Sequence, residues 1–309
     1  MTDSDQTSCT GYRSFSYLQS LREIGEPVRL EACNGWLLRR NIPASPYSDF
    51  TGPYPLFGCD DWGRVGSDLM GLSNGVCAVL VTDPLGNYSG SQLDAAFPDL
   101  NRPFKEHFVV ELDKLPASYP SGHHRRNIRR AAKLVDSELC SEPQHAGDEW
   151  VTLYENLKRR HRIRGPAAFS PRSLREQLGV PGILSWRATV GADLVGMMLI
   201  YAEGDTAYYH LAAYSDAGYE ARASYALFDA AIRYLREHRF RRLCLGAGAG
   251  IVTDASDGLN RFKLGWSTTT RMAYICGRIL DRDAYLALSE SVGEDSSGFF
   301  PAYRTGEYA

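Results

Sequence analysis

The segment Asp257-Gly258-Leu259-Asn260-Arg261-Phe262-Lys263-Leu264-Gly265-Trp266 sets a lysine between two apolar side chains, just ahead of a glycine and a tryptophan. A cation in that setting either covers the core with its stem or turns its ammonium into a cleft. Upstream, Tyr208-Tyr209-His210-Leu211-Ala212-Ala213-Tyr214 has the composition of a strand. Alternate strand residues share a face, so Tyr208 and His210 point one way and Tyr209 the other. His210 could exchange a proton near neutral pH, or serve as a hydrogen-bonded core residue. Ser215-Asp216-Ala217-Gly218 then close the strand and open a helix, as a cap or as polar contacts for an amine together with Tyr214. A cation, a titratable ring and backbone N–H groups at a strand end suit acyl transfer to an amine, which needs oxyanion stabilisation and proton removal. No GxSxG elbow and no cysteine with a partnered histidine offers a covalent nucleophile, so the acceptor attacks directly.

The elements that must position these residues run from Thr189 to Trp266. Gly-Ala-Asp and Glu-Gly-Asp turns separate three strands. Ala223, Leu227, Ala230, Ala231, Tyr234 and Leu235 recur at helical spacing, with arginines on the other face. The strand Leu243-Cys244-Leu245 and a short helix complete the unit. Gly246-Ala247-Gly248-Ala249-Gly250 lacks the long helix and spaced acidic residue of a dinucleotide fingerprint, and reads as a cleft-lining loop or a wide turn.

This order of elements resembles the GNAT acyltransferase superfamily. Within it, the ordered set of Ser121–Lys133 (SGHHRRNIRRAAK), Trp150–Gly165 (WVTLYENLKRRHRIRG), the AYYHLAAYS strand, the LCLGAGAG strand and DGLNRFKLGW resembles the Fem-type branch, the aminoacyl-tRNA-dependent transferases and their acyltransferase relatives. The resemblance covers the chain from about residue 119 onward. It implies an α/β (α+β) fold of two GNAT-like modules in tandem, each a mixed sheet flanked by helices, with the acceptor cleft between them. By the same resemblance Lys263 stabilises the reacting ester carbonyl; His210 and Tyr208, from their place on the strand, are its expected catalytic companions. Tyr209, Tyr214, Gly218, Phe262 and Trp266 are expected to hold the acyl donor, and Asp49, Tyr54 and Asp216 the acceptor. Coenzyme-A-dependent members carry a second glycine in the loop after the central strand. Here that loop has only Gly218 and bears Asp216 and Glu220, which oppose a diphosphate. A tRNA ester is therefore the expected donor, acyl-CoA the alternative, and a silent RNA-binding module the reading from another class.

Composition sets the outer limits. The 309 residues, 44% hydrophobic and 23% charged, are those of a globular chain long enough for two domains. No apolar run has membrane-spanning length and no signal-like segment opens the chain, so a cytoplasmic location is expected. Seven scattered cysteines without a CxxC pair point to reduced thiols rather than a metal site. The net charge of −3 argues against wholesale nucleic-acid binding, yet the cations are bunched. Arg125, Arg126, Arg129, Arg130 and Lys133 form one group and Lys158, Arg159, Arg160, Arg162 and Arg164 another; both are solvated helix faces or contacts to the phosphates of a tRNA acceptor stem.

The N-terminal part reads as a shorter version of the same theme. It has a helix at Tyr12–Gly25, a hairpin turning at Asn34-Gly35, an aromatic, proline-punctuated strand near Asp49, a helix at Asp61–Ser73, a buried strand in Val76–Gly86 and a closing strand in Asn101–Leu115. Element order thus repeats, dividing the chain into 1–118 and 119–309, the second part with a basic first helix and an irregular tail after residue 289. The expected function is transfer of an aminoacyl group to a small amine or peptidyl acceptor, in cell-wall bridge synthesis or peptide natural-product biosynthesis.

Overall fold

The computed structural model describes residues 9–248, 258–290 and 298–307. In chain order the first half contains α1 (Phe15–Ser20), β1 (Glu26–Leu30), β2 (Gly35–Asn41), β3 (Ser48–Thr51), α2 (Val65–Met70), β4 (Gly75–Val81), α3 (Gly90–Ala96) and β5 (Leu100–Glu111). The second contains α4 (Gly122–Ala131), β6 (Asp136–Cys140), α5 (Gly147–His161), α6 (Pro171–Gln177), β7 (Ile183–Val190), β8 (Asp193–Glu203), β9 (Thr206–Tyr214), α7 (Asp216–Glu220), α8 (Ala223–Glu237), β10 (Arg242–Gly246), α9 (Gly258–Trp266), β11 (Thr269–Ile279) and α10 (Arg282–Glu290). The β1–β2 hairpin turns where expected, with Asn34 at φ 53°, a conformation Asn tolerates better than most residues. Of the periodic apolar residues of α8, Ala223, Leu227, Ala231 and Leu235 are buried as the spacing predicts, Ala230 and Tyr234 are half-buried, and Phe228 and Ile232 join the buried face.

Among the described residues all strands join one eleven-stranded mixed sheet in the order β1-β2-β3-β4-β11-β5-β10-β9-β8-β7-β6. The pseudo-repeat is visible in the pairing. Each half runs as an antiparallel meander followed by one parallel step, β3 with β4 and β9 with β10, and then an antiparallel neighbour. The halves do not form two separate sheets, because β5 pairs with β10 and β11 crosses into the first half between β4 and β5. One face is covered by α4 and α8 around Phe228, Ile232, Trp186 and Trp266. The opposite face carries α1, α5 and α6 around Tyr17, Trp150, Tyr154, Leu174 and Tyr201. A third core under α2 and α3 gathers Phe50, Phe57, Trp62, Leu69 and Leu93.

Two helices go beyond the sequence reading. α3 is opened by a capping box, Ser89 accepting from Gln92 N while the Gln92 side chain accepts from Ser89 N. α10 begins where Asp281 accepts from Ala284 N. The tail is irregular as expected, but it is docked. The Phe300 ring lies 2.4 Å from where a Cβ on Gly277 would stand, and Arg304 is buried against Asp49.

Candidate active site

β9 and β10 pair in parallel only from Thr206–Tyr208 and Arg242–Cys244. Beyond Cys244 the β10 register breaks and Gly246 takes a φ of +74°, while β9 continues to Tyr214 alongside β8 alone. A β-bulge at His210 on the β8 side adds to the divergence, since Ile200 pairs with Tyr209 and Leu199 with Leu211. The two central strands therefore splay, and their backbone groups open onto a cavity of about 150 Å³.

Lys263 stands at the mouth of this gap. The α9 helix carries it there, 5% exposed, with Nζ donating to Ala247 O at 2.6 Å and lying 5.6 Å from the centre of the Tyr209 ring. The glycines serve this approach. A Cβ on Gly246 would come within 3.3 Å of Nζ, and one on Gly248 within 1.8 Å of Asn260 Oδ1. Ala249 and Gly250, the rest of the glycine-rich loop, lie outside the described residues. α9 is in turn fixed by α4. His124 Nε2 donates to Phe262 O at 2.9 Å, and the His124 ring fills the space that a side chain on Gly265 would need.

Tyr209 faces Lys263 while Tyr208 and His210 line the cavity from the opposite sheet face, the alternation expected of a strand. The role expected of His210 is corrected. Gln177 donates through Nε2 to Ser173 Oγ, which leaves Oε1 to accept from His210 Nε2–H at 3.0 Å; the His210 Nδ1 lone pair then receives the Tyr12 hydroxyl at 3.1 Å. With both nitrogens committed, and with burial pushing its pKa down to about 3, His210 is a structural imidazole rather than a proton acceptor. Tyr208 gives its hydroxyl proton to Asp83 Oδ2 at 2.7 Å, so it positions the strand and has no proton to offer the gap.

The remaining expected contacts divide. Tyr54, from the segment after β3, does line the cavity. Asp49 does not: it is fully buried behind β3, accepting from Arg40 Nε at 3.2 Å, from Arg304 Nη2 at 3.0 Å and from the Tyr303 hydroxyl at 3.1 Å. Asp216 pairs with Arg160 at 3.1 Å at the far end of β9. Phe262 and Trp266 pack against Phe228 and His124, and Tyr214 against Tyr219, so these rings build the core that carries the site instead of touching a donor. Gly218 is explained by close packing, because a Cβ there would lie 2.1 Å from Val195 O, and its N–H is taken by Ser215 Oγ at 3.2 Å.

Sequence reasoning missed Lys105 and His107, which enter the cavity from β5. The His107 ring lies 3.7 Å from Cys244 Sγ, and burial together with the neighbouring lysines pushes its pKa down to about 3, so it stays neutral. Their strand was legible but its pairing with β10 was not. The basic groups reach the same end of the sheet from its two faces. Arg160 of α5 stacks 4.1 Å over Tyr219 of α7, and Arg222, next to α8, donates to Asn127 of α4 at 2.9 Å. The exposed Arg126, Arg129 and Arg130 of α4, and Lys133 in the turn after it, make no ion pair among the described residues; Arg125 instead donates to Ser118 O and Pro120 O. Arg159 is exposed and donates to Asn156 Oδ1. No group of acids, histidines and cysteines among the described residues is arranged to hold a metal ion.

A family model described as an acetyltransferase (GNAT) domain matches residues 122–263, from the first residue of α4 to the lysine at the gap. Residues 122–263 form a GNAT acyltransferase domain. The whole chain shares its fold with FemX, at 12% identity and a TM-score of 0.66 over 93% of this chain and 98% of that one. It is also similar to the C-terminal domain of a putative lysylphosphatidylglycerol synthetase from Agrobacterium fabrum, at 15% identity and 0.61 over 94% and 93% of the two chains. The L-PGS of Bacillus licheniformis follows at 13% identity and 0.53 over 89% and 95%. No curated protein matches in sequence. The GNAT domain thus sits in a larger Fem-like fold, and the splayed strands with Lys263 lie inside the matched segment.

Proposed function

We propose that the protein is an aminoacyl-tRNA-dependent aminoacyltransferase of the cytoplasm, forming an amide bond on a small amine or peptidyl acceptor in peptide natural-product biosynthesis or cell-wall bridge synthesis. The observation that carries this reading is the pairing of a buried ammonium at an open strand gap with a closed turn after β9. In that turn Ser215 takes the Gly218 N–H and Ala217 O takes Ala221 N, so these backbone donors are not free to cradle a coenzyme A pyrophosphate, and the nearby Asp216 carboxylate is paired with Arg160. The donor is better held from outside, through the exposed cations of α4 together with Arg159 and Arg160. FemX, which the fold resembles, favours the same branch.

In the reaction the acceptor nitrogen attacks the ester carbonyl, the C–N bond forms, and the C–O bond to the tRNA ribose breaks. One proton passes from nitrogen to the leaving oxygen, so no protein base is consumed, in keeping with the commitment of both His210 nitrogens. Lys263 stabilises the oxyanion, and Tyr209 sets the position of its ammonium. The test offers the purified protein labelled aminoacyl-tRNA or acyl-CoA with a panel of amines. Transfer abolished by ribonuclease is expected. Ribonuclease-resistant transfer from the thioester would establish the coenzyme A alternative instead, and tight tRNA binding without turnover would establish a silent module.

A further inference from the structure

The gap holding Lys263 continues into a second cavity of about 190 Å³, and Tyr54, Pro55 and Val81 line both. This chamber lies at the seam of the first half, where β3 and β4 part. Its walls include Leu38, Val79, Ile275 and Phe300. Four prolines, Pro53, Pro55, Pro166 and Pro301, line it as well and supply no backbone N–H. The charged groups at its edge are satisfied by one another: Arg40 and Arg304 share Asp49, and Glu307 accepts from both. A polar guest would lose its hydration there with little in return. An apolar cavity of about 150 Å³ accepts a benzene-sized molecule, so this one has room for a ring and a short linker.

We infer that the acceptor is a primary amine on a compact apolar body, an aromatic ring or a branched hydrocarbon. The body fills the chamber between β3, β4 and the docked tail, and the amine reaches past Tyr54 towards Lys263. This rests on the acyl-transfer reading of the gap and narrows its acceptor. The competing occupant, an apolar side chain of the transferred aminoacyl group, is decided by the test.

With one charged tRNA as donor, 2-phenylethylamine and ethanolamine serve as acceptors of similar basicity. Burying the ring is worth about 1.5–3 kcal/mol, so kcat/KM should favour 2-phenylethylamine by about 10- to 150-fold. Val79→Trp, which fills the chamber, should bring the ratio towards one. A ratio near one in the parent protein, or a preference that follows the aminoacyl group and not the amine, overturns the inference. A donor-free measurement separates it from the parent reading: 2-phenylethylamine should shift the methyl resonances of Val79 and Ile275, and ethanolamine should not. Unshifted methyls at millimolar amine overturn the assignment. Shifted methyls without transfer to any amine would uphold the chamber and overturn the tRNA donor.

Discussion

Replacing Lys263 by methionine removes the charge while keeping a stem of similar length over the core. Two effects follow, and the structure separates them. Lys263 is 5% exposed and its ammonium is anchored by Ala247 O at 2.6 Å, so it has little freedom to be replaced by solvent at the reacting carbonyl. Loss of one oriented donor at an oxyanion slows the chemical step by about 10²–10³-fold, or ~2.7–4 kcal/mol. The lost hydrogen bond to Ala247 bears on stability. A bond to a charged donor is worth about 1.5–3 kcal/mol. Ala247 is only partly buried and water can take the vacated place, so the loss in folding free energy falls at or below that range. Against a typical total of about 5–15 kcal/mol the variant stays folded. Single-turnover transfer at saturating aminoacyl-tRNA measures the first effect and urea unfolding the second, with tRNA affinity as the control. A folded Lys263→Met protein whose single-turnover rate lies within about threefold of the parent would refute the oxyanion role.

Arg126, Arg129 and Arg130 changed together to alanine should weaken tRNA binding and make the plot of log affinity against log salt shallower by about 2–3, at roughly 0.9 for each phosphate left without its cation; an unchanged slope places the RNA elsewhere. Asp49→Ala leaves Arg40 and Arg304 buried without their shared carboxylate, and urea unfolding should show a loss of about 3–5 kcal/mol. Glu203 accepts from Tyr12 N at 2.9 Å, and burial raises its pKa from 4.5 to about 8. In that window the folded chain holds a proton that the unfolded chain has released, so this stabilisation is complete below pH 4.5 and is lost as pH rises through about 8. Glu203→Gln should therefore melt above the parent at pH 8–9, with the gap closing towards pH 4.5, and parallel melting curves across that range would contradict the assignment.

Local signals in the sequence survived intact. The strands, the α8 periodicity and the Asn34 turn rest on patterns close together in the chain, the GNAT reading rests on the order of such elements, and the alternation on β9 separated Tyr209 from Tyr208 and His210 correctly. Lys263 stood out because an ammonium among apolar neighbours is unusual and the surrounding motif resembles a known one, and it lines the cavity between the splayed strands. What failed was anything decided by partners distant in the chain. His210 reads as a base until Tyr12 and Gln177, which no spacing links to it, occupy both nitrogens. Asp49 reads as an acceptor contact until Arg304 arrives from the tail. Phe262 and Trp266 carry no mark that tells a cleft wall from a core, and Lys105 enters the site only because β5 lies beside β10. The capping residues Ser89 and Asp281, by contrast, were legible signals left unread.

The placement of β11 bears on how the molecule is made. Its residues, 269–279, bridge β4 and β5, whose own residues end at Glu111. Until a ribosome has released that stretch, β4 and β5 each expose a bare ladder of amides and carbonyls, and the early half has no complete sheet to close. Synthesis from the amino terminus therefore cannot deliver a finished first unit followed by a second. Both halves mature together, late, and a chain cut short before residue 269 would be left as a sticky fragment, work for a chaperone or a protease.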